Sequence, residues 1–410
     1  MHRNHLLTFG LVAITLSCGV MPGPVDGGGG GAGGGGGGIA VSPAEQAAFD
    51  AAKADYIGLR YSAAQAEFQA FLATYPRSSL GDKASFYLGR CKYEAAPSPD
   101  YAGAIAVWKA MATAFPQSPL LPEAQYWVGR AYFQNNDYAN ARTELSRQLA
   151  TYPNNAFSDV VGLYLARCDF ETAQFAAAQA RLTQLLAVVP ASPWSADMLY
   201  WRGRSQWSQQ AFVAARADFD RLTGQYAMSV LADNASYWAG RCLFSQASLA
   251  PPTATWADTV AAFDRTYTTY PMSNVRDWVL HYKGRAQFEN LAFPAALDSL
   301  NLQLNMWSNL PSRWAGHYWR GRVSLKTATP DTVGALADFD AVIAMGGSSV
   351  WYGAAFEWKA RTQADLGLCD GTSSASSTYL AMKAAFPPPS PSLARTCAYV
   401  LTKCVAQICP

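Results

Sequence analysis

The sequence is short of the residues and motifs on which most enzymes and nucleic-acid-binding proteins depend. Only 15% of its 410 residues are charged, and the formal net charge is +2, so it lacks the basic surface expected of a nucleic-acid binder. Of its four histidines, two precede residue 6, and His281 and His317 take positions that hold bulky packing residues elsewhere. The chain has no His-Glu-x-x-His, no Gly-x-Ser-x-Gly and no phosphate-binding loop outside a low-complexity glycine run. We therefore expect no catalytic site, no metal site and no cofactor.

The first 18 residues have the pattern of an export signal. An apolar run from Leu6 to Leu16 follows Arg3 and is too short to span a bilayer as a folded helix. The run leads into the segment Thr15-Leu16-Ser17-Cys18-Gly19. This order of a basic residue, a short apolar run and small residues predicts a cleaved signal peptide over residues 1–18.

The end of this signal resembles the lipobox of bacterial lipoproteins, whose cysteine receives the lipid. Thr15 stands where that pattern usually has leucine. The resemblance implies lipidation of Cys18 and an outer membrane lipoprotein that faces the periplasm. An ordinary secretory signal, giving a soluble periplasmic or secreted protein, is the alternative. Residues 27–38 are glycine except for Ala32, so residues 19–42 are predicted to be a flexible linker.

A repeat of about 37 residues occupies most of the remaining chain. In each unit an aromatic residue stands two positions before a Gly-Arg pair, and an alanine follows about twelve positions after the glycine. Tyr-Pro or Phe-Pro closes most units, and two residues later a Ser or Asn is the predicted N-cap of the next helix. The Gly-Arg pairs are Gly89-Arg90, Gly129-Arg130, Gly203-Arg204, Gly240-Arg241, Gly284-Arg285 and Gly321-Arg322, with Ala166-Arg167 and Ala360-Arg361 in the same slot.

These columns predict two helices per unit that cross closely at the glycine and the alanine. The Gly, the Ala, a Phe of the second helix and the closing Pro resemble the tetratricopeptide repeat. The units are longer than the usual 34 or so residues of that family and lack its early Trp. The resemblance implies an all-α, right-handed solenoid of about nine helix-turn-helix units over residues 43–387, followed by a capping helix in residues 388–410.

The form Tyr-Trp-x-Gly-Arg, which begins at Tyr126 and Tyr200, narrows the resemblance. It resembles the outer-membrane assembly lipoprotein (BamD) and Tol-Pal coordinator type, which implies a non-catalytic envelope scaffold for proteins or peptides. It is also similar to the helical arm of soluble lytic transglycosylases, which implies a peptidoglycan-associated accessory protein. The chain lacks the Glu-Ser dipeptide of the catalytic domain that follows such an arm.

The arginine column is the strongest functional signal. On the first helix of a unit, the residue three before the Gly, the Arg and the residue four after the Gly share one face. In the tetratricopeptide family this face lines the concave surface, so the resemblance implies a groove that binds peptide carboxylates. The predicted groove residues are Tyr126, Arg130, Phe133, Tyr200, Arg204, Trp207, Tyr237, Arg241, Phe244 and Arg285.

A structural role for the same arginines stays open. Each could pair with an acidic residue of the second helix and stack on aromatic rings as part of the core. The candidate acidic partners are Glu67, Glu144, Asp218 and Asp338.

The cysteines after the signal form two groups. Three of them, Cys91, Cys168 and Cys242, stand two residues after the Gly position, where other units have Ala or Ser, so they are predicted to be buried and too far apart to bridge. The later group is predicted to form disulfides that staple the cap, with a zinc site as the alternative. Its members are Cys369, Cys397, Cys404 and Cys409.

Replacing Cys18 with Ser tests the lipid anchor. Because the serine hydroxyl cannot take the thioether-linked lipid, the Cys18→Ser protein should appear in the soluble fraction while the wild type stays with the membrane. Fractionation of cells and intact mass of the mature protein measure both effects. A wild type that is already soluble after export would contradict lipidation.

Overall fold

The computed structural model describes residues 41–306, 312–346, 350–386 and 390–404. These residues form nineteen α-helices and no strand, and none of the helices is long and apolar enough to cross a membrane. Cys18, Cys409 and most of the predicted linker lie outside the described residues. The helices are α1 Pro43–Ile57, α2 Tyr61–Thr74, α3 Gly81–Glu94, α4 Tyr101–Ala114, α5 Leu121–Gln134, α6 Tyr138–Thr151, α7 Ser158–Glu171, α8 Phe175–Val188, α9 Ser195–Ser208, α10 Phe212–Gln225, α11 Ala232–Ala247, α12 Trp256–Thr269, α13 Arg276–Glu289, α14 Phe293–Met306, α15 Ser312–Ser324, α16 Thr332–Ala344, α17 Val350–Asp365, α18 Ala375–Ala385 and α19 Pro391–Lys403.

The helices form an α-solenoid of nine pairs followed by α19. Each even-numbered helix packs against the odd-numbered helices before and after it. Odd-numbered helices also touch one another, as α7 touches α9 and α13 touches α15, and no two successive even-numbered helices of the described chain pack as closely. Helices that approach one another more closely lie on the inner side of a curved stack. The odd-numbered helices therefore form the inner face.

The glycine column lies where the two helices of a pair approach most closely. A Cβ added to Gly89 would lie 2.3 Å from Nε1 of Trp108, and one added to Gly203 would lie 2.8 Å from Cε1 of Phe219. Each glycine thus seats a large side chain of the following helix. The seated side chains are fully buried, as are the neighbouring alanines such as Ala215. The close crossing predicted from the small residues is confirmed.

The Ser and Asn column has a different role from the predicted one. Helix α5 begins at Leu121, three residues after Ser118, because the chain first makes a tighter turn in which the Leu121 N–H bonds to the Ser118 carbonyl. The Ser118 hydroxyl accepts from the Leu120 N–H and donates to Asp82 of the preceding unit at 2.6 Å. Ser273 and Asp233 repeat this link at 2.7 Å. The column therefore joins successive units and does not cap the α-helix itself.

The last helix, α19, caps the C-terminal end of the solenoid. Helix α19 packs on α17, and a disulfide joins Cys369 to Cys404. Cys397 is disulfide-bonded as well, so these three sulfurs are not free to bind zinc. The earlier thiols, such as Cys91, are free and buried, and burial raises the pKa of Cys91 to about 12. That column fills space, as predicted.

Gln148 is a buried polar side chain in a column of the even-numbered helices that is apolar in most units, with Thr266 and Gln303 as its other polar members. Gln148 is 0% exposed, and neither atom of its amide has a hydrogen-bond partner. Phe71, Met111 and Leu222 occupy the same register position in other units. Burying an amide without a partner costs about 1–3 kcal/mol. Gln148 therefore weakens the contact between α6 and α7.

Replacing Gln148 with Leu should stabilise the protein by about 1–2 kcal/mol, because the desolvation cost disappears and apolar area is buried instead. Thr266 provides the matched control, since it holds the same register position but bonds to Ser236 at 2.8 Å and to the Ala262 carbonyl. Thr266→Val should lower stability. Urea unfolding followed by circular dichroism measures both. Lower stability of Gln148→Leu would show that the amide has a partner in solution.

Candidate functional site

An arginine ladder runs along the inner face, one arginine from each of eight successive odd-numbered helices. Its members are Arg90, Arg130, Arg167, Arg204, Arg241, Arg285, Arg322 and Arg361. Each guanidinium stacks on a ring of the next odd-numbered helix: Arg204 Cζ lies 4.1 Å from the centroid of Trp238, and Arg241 Cζ lies 4.0 Å from that of Tyr282. In ladder order the stacked rings are Trp127, Tyr164, Trp201, Trp238, Tyr282, Trp319, Trp358 and Tyr399.

A second ring, from the preceding odd-numbered helix, lies near most ladder arginines. Arg167 Cζ is 4.5 Å from the ring of Phe133, and Arg285 Cζ is 4.7 Å from that of Phe244. The sequence had placed Phe133 and Phe244 beside the arginine of their own helix, and that pairing is wrong. An arginine side chain leans toward the N-terminal end of its helix, away from the ring one turn later, and so meets the neighbouring helices. Most ladder arginines thus contact the units on both sides of their own.

Only some of the N–H groups at the guanidinium edges donate hydrogen bonds within the protein. Arg204 Nη1 donates to the Tyr200 hydroxyl at 3.2 Å, and Arg241 Nη1 donates to that of Tyr237 at 2.9 Å. The Nε atoms of Arg204, Arg285 and Arg322 are enclosed without an acceptor. These three side chains are nevertheless half-buried, so their exposed part is the terminal nitrogens. In-plane N–H groups of this kind bind carboxylates well.

Burial divides the predicted groove residues into two sets. Tyr126 and Tyr200 are fully buried, and Arg130 and Arg241 are only 6% and 8% exposed. These side chains pack between helices, where a ligand cannot reach them without displacing a helix, so the prediction that they line the groove is wrong. Phe133 and Tyr237 belong to the same buried set. Half-buried members of the prediction are Arg204, Trp207, Phe244 and Arg285.

The alternative of ion pairs to the second helix is also wrong. Asp218 binds Arg202 through two bonds of 2.6 and 2.7 Å, and Asp338 binds Arg320 in the same way, with His317 Nδ1 at 2.7 Å. These arginines stand two positions before the ladder arginines and point to the other side of the helix. The ladder itself forms ion pairs at its two ends, where Arg90 meets Glu94 and Arg361 meets Glu357. Glu144 likewise pairs with Lys109 and Arg147.

Two half-buried carboxylates moderate the positive field of the ladder without an ion pair. Burial raises the pKa of Asp197 to about 6, and the nearby Arg167 opposes that rise. Burial also raises the pKa of Glu171, which Arg167 and Arg204 oppose. In the described part of the chain, no group of three or more His, Cys, Asp or Glu side chains could hold a metal ion.

The stacking rings were visible in the sequence, although their role was not. An aromatic residue stands three residues before each ladder arginine, so the sequence shows both columns. It does not show which ring stacks on which arginine. That pairing depends on how one unit is placed on the next. The regularity of the column was the available signal, because a core position tolerates Leu or Val whereas this one keeps an aromatic ring.

Comparison with known proteins agrees with this geometry. The family model of the tetratricopeptide repeat matches residues 49–119 and 165–227, and that of the outer membrane lipoprotein YfiO matches residues 92–167. Over residues 49–119 and 165–227 the chain resembles the tetratricopeptide repeat, and its fold is an α-solenoid. Over the YfiO match it resembles an envelope lipoprotein of the BamD type. No curated protein sequence matches the chain.

Solved structures support the fold of this solenoid. The C-terminal part of a TPR repeat-containing protein from Cytophaga hutchinsonii is 16% identical, with a TM-score of 0.51 over 66% of this chain and 98% of that one. The apo form of RapI is 8% identical, with a TM-score of 0.55 over 88% of this chain and 99% of that one. At such identities the likeness concerns the fold alone.

The unit that begins with α13 has a histidine beside the ladder, where several other units have a tyrosine. His281 stands where Tyr126, Tyr200 and Tyr237 stand in other units, and its Nδ1 has no hydrogen-bond partner. It is 1% exposed, and burial lowers its pKa well below 6.5, with Arg285 and Arg241 adding repulsion. The neutral imidazole thus leaves Arg285 without the hydroxyl that Arg241 uses.

Replacing His281 with Tyr should raise stability at neutral pH by about 1 kcal/mol, because the hydroxyl can accept from Arg285. The unfolded chain binds a proton at this histidine near pH 6.5 and the folded chain does not, so His281 lowers stability as the pH falls below about 6.5. His281→Tyr should lose this contribution of His281 to the pH dependence of stability. Urea midpoints at pH 7.5 and 5.0 measure the difference.

Tyr237→His is the matched control for this pH effect. It places a second buried histidine at the same position of the neighbouring unit, and it should make the loss of stability in acid steeper. Equal pH dependence of the wild type and His281→Tyr would mean that the imidazole is protonated in the folded protein.

Proposed function

We propose that this chain is a non-catalytic scaffold of the cell envelope that binds segments of other proteins along its inner face. In this proposal residues 1–18 comprise the export signal and, at its end, Cys18, which carries the lipid. Residues 19–42 are a flexible linker. Residues 43–387 are the binding solenoid, and residues 388–410 are its cap. The similarity of residues 92–167 to an outer membrane lipoprotein supports the location, and the solenoid fold supports binding rather than catalysis.

The observation that carries the proposal is the half-buried part of the arginine ladder. Arg204, Arg285 and Arg322 have no carboxylate within ion-pair distance among the described residues, although the acidic groups of the outer side are paired. An aromatic ring covers a face of each of these guanidiniums and fixes its plane, while the terminal nitrogens reach solvent. Donors that are fixed in this way lose little entropy when a carboxylate binds.

Stacking of sugars, the alternative for a peptidoglycan-associated protein, has less support. A sugar would need an open aromatic face on the inner side. Trp238 has Arg204 at 4.1 Å and Arg241 at 5.2 Å from its ring centroid, and Trp319 has Arg285 and Arg322 at 4.6 and 4.4 Å. The ring faces are therefore occupied by guanidiniums.

The double variant Arg285→Gln, Arg322→Gln tests the proposal. Glutamine keeps much of the stem and some hydrogen bonding but removes the charge, so recovery of the proteins that bind the wild-type chain should fall at least tenfold. The matched control is Arg221→Gln, since Arg221 is an exposed arginine on α10 whose Nε donates to Gln225. The measurement is crosslinking of the full chain in the envelope, with mass spectrometric quantification of each crosslinked protein.

Melting temperature is measured for all variants in parallel. Full recovery by the double variant, together with a lowered melting temperature, would show that the ladder is structural only and that partners bind elsewhere.

A further inference from the structure

The spacing of the arginine ladder is set by the rings between its members. The Trp319 centroid lies 4.6 Å from Arg285 Cζ and 4.4 Å from Arg322 Cζ. Successive guanidinium carbons are therefore at most about 9 Å apart across this ring. Because packed helix axes lie about 8–10 Å apart and each arginine comes from a different helix, we take the period of the ladder to be close to this limit. Trp127 separates Arg90 from Arg130 in the same way, at 3.9 and 4.6 Å.

A ladder with this period selects among peptide conformations. In a β-strand, side chains on one face repeat about every 6.7 Å, which is too short for one arginine per carboxylate. A polyproline II segment has three residues per turn and rises about 3.1 Å per residue, so every third side chain lies on one face about 9.3 Å from the last. The backbone carbonyls of such a segment make no internal hydrogen bonds. The carbonyls between the carboxylates therefore remain free to accept from N–H groups of the inner face.

We propose that the inner face binds an acidic segment in polyproline II conformation, with Asp or Glu at every third position facing the ladder. This inference rests on the proposed function, since it specifies the partner of the same site. Arg285 and Arg322, in adjacent units, bind carboxylates three residues apart. Arg204, two units before Arg285, binds a carboxylate six residues further along the segment.

The charge pattern of the inner face favours an anionic partner at these units. Phe244 and Phe288 flank the half-buried Arg285 and Arg322, and both rings are themselves half-buried, so they cover the apolar parts of the segment. The basic groups of the outer side, Arg202 and Arg320, are bound to Asp218 and Asp338 and do not compete. Burial lowers the pKa of Arg285, and repulsion from Arg241 and Arg322 adds to that effect. A carboxylate that binds the ladder offsets this repulsion.

The test compares two labelled peptides of identical composition and length, each with four glutamates and eight prolines. One is Glu-Pro-Pro repeated four times, and the other has its four glutamates together at one end. Both are proline-rich and carry the same charge, so they differ in the spacing of carboxylates. Fluorescence anisotropy with the full wild-type chain, at an ionic strength of about 50 mM to limit screening, measures binding.

The spaced peptide should bind at least tenfold more tightly than the block peptide. Arg322→Gln should reduce that preference several-fold, whereas Arg221→Gln should leave it unchanged. Substituting Arg322 removes one of three guanidiniums in register with the peptide, so the affinity for the block peptide should change less.

Three results would overturn the inference in distinguishable ways. Equal binding of both peptides, reduced by Arg322→Gln, would mean that charge alone is recognised and would leave the proposed function standing. Binding of neither peptide, while crosslinking to envelope proteins still depends on Arg285 and Arg322, would mean that the partner has another chemistry. Binding of neither peptide and crosslinking that is independent of these arginines would remove the proposed function as well.

Discussion

The stacking of each ladder arginine between rings of neighbouring units is the interaction on which the rest of the inner face depends. Arg204 belongs to α9, yet the rings nearest its guanidinium include Phe170 of α7 and Trp238 of α11. No unit completes this arrangement alone, so the stability of the inner face resides in the contacts between units. Cation–π contacts that are shielded from water are worth about 2 kcal/mol each, several times the value of an exposed ion pair.

On the outer side of the solenoid, arginines such as Arg202 are stabilised by ion pairs rather than by stacking on aromatic rings. There the charged groups are paired directly, as in the two hydrogen bonds between Arg202 and Asp218. The glycine column seats one large side chain per unit, and the Ser-Asp links join successive units at the edge where each odd-numbered helix begins. Arg202 on the outer side is therefore neutralised within the fold, whereas Arg204, Arg285 and Arg322 on the inner side are held by aromatic rings.

Burial separates the arginines of the ladder column. Arg130 and Arg241 are almost completely buried and hold units together, while Arg285 and Arg322 keep their terminal nitrogens in contact with solvent. His281 lies on the same helix as Arg285 and is also close to Arg241, and it replaces the tyrosine whose hydroxyl Arg241 uses in its own unit. Without that acceptor, Arg285 keeps both terminal nitrogens for other partners, which is consistent with a binding role at some cost in stability.

The sequence by itself determined the helical repeat, the pairing of helices and the buried small columns, because these depend on contacts within one unit and recur at a fixed period. Gly203 and Phe219 could be matched in this way, since both belong to the same helix pair. Tertiary structure alone decided that Phe133 stacks on Arg167 and that Arg204 stacks on Trp238. Such partners belong to different units, and their meeting depends on how one unit is placed on the next, an offset of a few ångströms that the spacing of residues along the chain does not encode.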